Sequence, residues 1–97
     1  MDLDAFKGST TRREPPPELA PAIQALWWDA KGEWSKAHER AQAQENKEGA
    51  WVHAYLHRKE GDLANAGYWY RRAGKPVASG SFDIEWEAIA RALLAHG

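Results

Sequence analysis

Cysteine is absent from the 97 residues, which excludes disulfides and thiolate metal sites. No apolar run approaches the ~20 residues of a membrane-spanning helix. The first residues carry Asp2 and Asp4 and lack the apolar stretch of a secretory signal, so a cytoplasmic protein is the expectation. An excess of one charge is lacking as well. Thirteen Lys and Arg stand against fourteen Asp and Glu, a net charge of −1. Such a chain has no domain-wide basic field to neutralise phosphates, which argues against a nucleic-acid partner. Strand-like alternation is missing, no glycine-rich loop follows a strand, and no serine or threonine sits in a nucleophile elbow.

What is present is aromatic bulk at helical spacing. Trp27, Trp28, Trp34, Trp51, Trp69 and Trp86 give a chain of one-domain length the large side chains that a small core needs. Each such ring buries roughly 150–250 Å². Residues 1–16 are polar and run into Pro15-Pro16-Pro17, which reads as a flexible arm entering an extended stretch. Residues 1–14 are therefore expected to be dispensable for folding.

Residues 17–97 read as an all-α domain. A first helix is predicted over 18–31, with Leu19, Ile23, Leu26 and Trp27 in register and Pro21 tolerated in the first turn. A second covers 33–44 with Trp34, Ala37, His38 and Ala41 on one face. Asn46-Lys47-Glu48-Gly49 is read as the connection. A third helix covers 50–60 and a fourth 62–73, the latter burying Leu63, Ala66, Trp69 or Tyr70, and Ala73. Gly74 and Pro76 stop it, and Ser81 or Asp83 caps a fifth carrying Trp86, Ile89, Ala90 and Leu93.

One unit occurs twice. Gly32-Glu33-Trp34-Ser35-Lys36-Ala37 and Gly61-Asp62-Leu63-Ala64-Asn65-Ala66 share the order glycine, acid, large apolar residue, two spacers, alanine, 61 − 32 = 29 residues apart. The run Gly61-Asp62-Leu63, Ala66, Tyr70, Ala73 and Pro76 resembles the second half of a tetratricopeptide repeat. Trp69-Tyr70-Arg71-Arg72-Ala73 is similar to the related Sel1-type repeat. Ala54, His57 and Gly61, and upstream Ala25, Trp28 and Gly32, hold the first-half places. Trp86, Ile89, Ala90, Leu93 and Gly97 fit a first half again. The resemblance implies two antiparallel helical hairpins plus a C-terminal closing helix.

For function the resemblance implies a protein- or peptide-binding module, neither an enzyme nor a cofactor carrier. Carried over residue by residue, its concave groove would be lined by Leu26 and Asp29 on the first helix. On the third it would be lined by Trp51, Tyr55, Arg58 and Lys59. Aromatic area beside fixed cations suits a binding surface. The bland reading is that the last helix covers Trp51 and Tyr55 and leaves a charged rim. A different class is a homo-oligomer that pairs two copies through an exposed aromatic face. A third is a metal-dependent or small-ligand enzyme using His38, His53 and His57, of which His53 and His57 stand four apart. His-Glu-x-x-His is absent and no carboxylate stands at ligand spacing, so packing histidines and no metal are the expectation. Asp83, Glu85 and Glu87 open the last helix, where they suit its dipole, and Arg71 and Arg72 read as solvated.

Overall fold

A computed structural model describes residues 1–96, and every regular element among them is an α-helix. The helices are α1 (Leu3–Ser9), α2 (Pro21–Ala30), α3 (Trp34–Ala43), α4 (Lys47–Glu60), α5 (Leu63–Ala73) and α6 (Phe82–His96). None is long and apolar enough to cross a membrane. Gly97, read above as a repeat glycine, lies outside the described residues.

Two of the glycines set the geometry of the turns that follow α2 and α4. Gly32 and Gly61 take φ of 80° and 91°, a left-handed conformation that L side chains resist. This lets the chain reverse while satisfying the last helical carbonyls. The Glu33 N–H donates to the Trp28 carbonyl and the Asp62 N–H to the His57 carbonyl, each at 3.0 Å. Asp62 then caps α5 by accepting from the Asn65 N–H at 3.2 Å. The results are two sequential helix pairs, α2 with α3 and α4 with α5, which pack on each other mainly through α3 and α4. Ala25, Ala37, Ala54 and Ala66 are all buried, as small residues at helix approaches should be.

Two local expectations are corrected. Asn46-Lys47-Glu48-Gly49 is not a connection: the Asn46 side chain accepts from the Gly49 N–H at 3.0 Å and starts α4 three residues earlier than its apolar stripe suggests. Leu63 is not buried but 68% exposed, because α5 turns Ala66, Tyr70 and Ala73 inward instead.

The N-terminal segment is the larger correction, because it is not a free arm. Asp2 caps α1 through the Ala5 N–H at 2.8 Å, and Leu3, Phe6 and Ser9 form one buried stripe. Phe6 is fully buried and stacks on Trp86 with ring centroids 5.6 Å apart. Ser9 Oγ accepts from Trp27 Nε1 at 3.1 Å, and Lys31 Nζ donates to the carbonyls of Thr10 and Arg12. A seven-residue helix has no stability of its own in water, so polar composition hid an element that tertiary burial creates.

Helix α6 closes the molecule. Ser81 Oγ caps it by accepting from the N–H groups of Asp83 and Ile84. Trp86, Ile89, Ala90 and Leu93 join the main core, together with Leu3, Phe6, Leu26, Trp27, Tyr55 and Leu56.

Candidate functional site

The groove expected from the repeat pattern is filled. Leu26 is fully buried, and its carbonyl accepts from Trp86 Nε1 of α6 at 3.0 Å. Tyr55 is 1% exposed and Asp29 6%. Their polar groups meet each other: Tyr55 Oη donates to Asp29 Oδ2 at 2.7 Å, and Lys59 Nζ donates to Asp29 Oδ1 at 3.0 Å. Arg58 turns elsewhere, donating to Glu85 Oε1 of α6 at 2.8 Å and to the Gly80 carbonyl at 2.6 Å. Tyr70 Oη donates to the other Glu85 oxygen. Each buried carboxylate is thus held by one tyrosine and one cation. Glu85, in the first turn of α6 as expected, is in addition a buried clamp between α4, α5 and α6.

These networks leave marks on the tyrosines. Burial, followed by the hydrogen bond to a carboxylate, raises the ionisation of Tyr55 and of Tyr70 well above the ordinary tyrosine value. Both phenols stay neutral donors. Of the groove residues, Asp29, Tyr55 and Lys59 remain together at the wall of a cleft of about 420 Å³, with Lys7, Asp83 and Trp86. Trp51 is not among them. It is half-buried at a separate cleft of about 320 Å³, with Lys75 Nζ 4.2 Å from its ring centroid.

The histidines do come together. His38 of α3 meets His53 and His57 of α4, with ring centroids 4.5 Å and 5.2 Å away, and the two α4 rings are 4.8 Å apart. One nitrogen from each ring lies within 4.8 Å of the others. The spacing of four on α4 supplies two rings on one face, and the α3–α4 packing supplies the third. Aromatic walls fix the set. Trp34 stacks on His38 at 4.9 Å, Trp69 stacks on His53 at 3.9 Å, and Trp34 Nε1 is anchored on the Leu56 carbonyl at 3.0 Å. His53 and His57 are buried and His38 is partly so.

Burial is the main cause that lowers the pKa of His38. For His53, burial followed by the neighbouring imidazoles His38 and His57 pushes it down to about 4. Both rings are therefore neutral near pH 7. His57 Nδ1 sits 2.6 Å from Glu60 Oε2, so with a neutral ring it carries the proton and donates. That leaves Nε2 as the acceptor, with the Asn65 amide 3.4 Å away. Among the described residues, His57 is the one member of the trio with hydrogen-bond partners on its ring.

A cleft of about 540 Å³ borders this cluster. His53, Trp69 and Arg72 form part of its wall, with Gln42 of α3 and with Gln44 and Asn46 from the α3–α4 turn. On the adjoining outer face of α5, Tyr68 and Trp69 meet edge to face at 5.2 Å. The Arg72 guanidinium lies over both rings at 5.7 Å and 5.1 Å and donates to Tyr68 Oη at 3.0 Å. The sequence marks Arg72 only as a solvated charge, although its spacing of four from Tyr68 places the two on one helix face. Comparison of the chain with family models, curated proteins and solved structures finds no match.

Proposed function

We propose that the chain is a small helical-repeat module that binds a protein or peptide and is not catalytic. The observation that carries this reading is the repetition of one built unit. Both helix pairs turn on a left-handed glycine, close with the same backbone hydrogen bond, and set a buried alanine on each side of the turn. The likeness to a tetratricopeptide arrangement rests on that unit, and binding is what such scaffolds offer.

With the concave side occupied by α6, the docking face is assigned to the outer side of α5. There Tyr68 is 43% exposed and Arg72 is held in place across two aromatic rings. Aromatic and arginine side chains fixed before binding pay little entropy on association and are frequent hot spots. A matching partner segment carries an apolar anchor beside a carboxylate.

The test is capture with a photo-crosslinking residue at position 68, followed by isothermal titration of the purified captured protein. Tyr68→Ala should weaken binding by about 2 kcal/mol, and Arg72→Glu by at least as much. Neither change touches the core. A partner that binds both variants with unaltered affinity rules out this face. Exposure of Leu63, Val77, Phe82 and Ile84 favours a second reading, in which two copies pair. A solution mass that rises with concentration marks that case.

A further inference from the structure

We propose that His38, His53 and His57 form a three-imidazole site for a divalent late transition metal, zinc in the first instance, with a fourth position open toward the 540 Å³ cleft. This goes beyond the interaction reading and does not depend on it.

The donor set is the first argument. Three nitrogens, one from each ring, already lie within 4.8 Å of one another. A zinc–nitrogen bond of about 2.1 Å in tetrahedral geometry places donors about 3.4 Å apart. Closing the cluster takes at most about 1.4 Å per pair (4.8 − 3.4), a movement on the scale of side-chain rotation. Imidazole nitrogen is favoured by zinc, copper and nickel over magnesium or calcium.

The surroundings are the second argument. His57 carries its own carboxylate: Glu60 on Nδ1 fixes the tautomer and leaves Nε2 as the lone pair, the arrangement that orients metal-bound histidines. Trp34 and Trp69 restrict the rings of His38 and His53 by stacking. Access is present too, since His53 lies in the wall of the large cleft. A metal site needs an entry path, and an open position needs somewhere for water or an exogenous donor to stand.

Among the described residues, no hydrogen bond reaches the ring nitrogens of His38 or His53, and neither ring contributes a fully buried unpaired atom. Their lone pairs are uncommitted to any protein donor, which leaves them available to a cation.

The experiment titrates chelator-stripped full chain with Zn²⁺ by calorimetry and with Co²⁺ by visible absorption. One equivalent should bind, and cobalt should develop the intense d–d bands of four-coordination. His38→Leu and His53→Leu should each weaken Zn²⁺ binding by at least a hundredfold. Both keep their apolar contacts and should melt in chelator no lower than the parent, which separates lost ligation from lost fold. Glu60→Gln should weaken binding about tenfold, the effect of a partner behind a ligand rather than of a ligand.

Two results would overturn the assignment. One is the absence of saturable Zn²⁺ or Co²⁺ binding at micromolar concentrations in the folded parent. The other is undiminished binding in the folded His38→Leu and His53→Leu chains with complete loss in Glu60→Gln. The latter would move the ion to the more exposed His57, Glu60 and Asp62 group.

Discussion

Gly49 shows how one residue decides a turn. A Cβ built there would stand 1.8 Å from the Gln44 carbonyl oxygen and 3.1 Å from that of Ala41. Both are backbone atoms, so no side chain can swing aside. The α3–α4 turn is tight because Gln44 is itself committed: its Oε1 accepts from the Ala22 N–H at 2.8 Å, tying α2 to the turn. Gly49→Ala should therefore cost about 3 kcal/mol or more, at or above the upper end of ordinary overpacking. The lost stability should appear as a lower urea midpoint with an unchanged slope. A loss below 1 kcal/mol would mean that the turn opens freely. In the sequence Gly49 reads only as a loop glycine, because its reason is a backbone oxygen brought close by tertiary packing.

At the scale of the element, α1 is the test of what pattern can and cannot reveal. The helices from α2 to α6 announce themselves by caps, glycine stops and apolar stripes, and their ends fall within a few residues of expectation. Segment α1 has a cap and a stripe as well, but only Leu3 and Phe6 to carry it among polar neighbours. Its stability comes from Trp86 and Trp27, which lie 80 and 21 residues from Phe6 (86 − 6 and 27 − 6). Phe6→Ala should then cost about 3–5 kcal/mol, as for a fully buried aromatic. A chain starting at Pro15 should lose at least as much, since it also forfeits the Ser9–Trp27 hydrogen bond and the Lys7–Glu87 pair. Equal melting temperatures for the shortened and full chains would restore the flexible arm. The same element-level logic explains the filled groove. Of its expected residues, Leu26, Asp29 and Tyr55 lie on the inner faces of α2 and α4, and periodicity identifies a face without saying what covers it.

Across the whole molecule, the internal hydrogen bonds should be visible as a pH dependence of stability. Asp29 joins α2 to α4 through Tyr55, and Glu85 joins α6 to α5 and α4 through Tyr70 and Arg58. Each phenol is held neutral in the fold, with its ionisation raised above the unfolded value of 10.0. Above that pH the unfolded chain releases protons that the folded chain keeps. The folded state then binds more protons, and stability must fall as pH rises from about 10 upward. Two phenols should make the fall steeper than one. On the acid side, metal-free protein has His53 lowered from 6.5 to about 4. Between those values the unfolded chain takes up a proton that the folded chain refuses, so stability falls as pH drops through that window and this contribution levels off below it. The curve should have its plateau between the two windows. Urea midpoints of chelator-treated protein from pH 4 to pH 11 check both limbs. Tyr55→Phe and Tyr70→Phe should each flatten the alkaline limb, and His53→Leu should flatten the acid one. An alkaline limb unchanged in both phenylalanine variants would show that these tyrosines ionise in the fold as they do in water, and that the carboxylate clamps are looser than their distances imply.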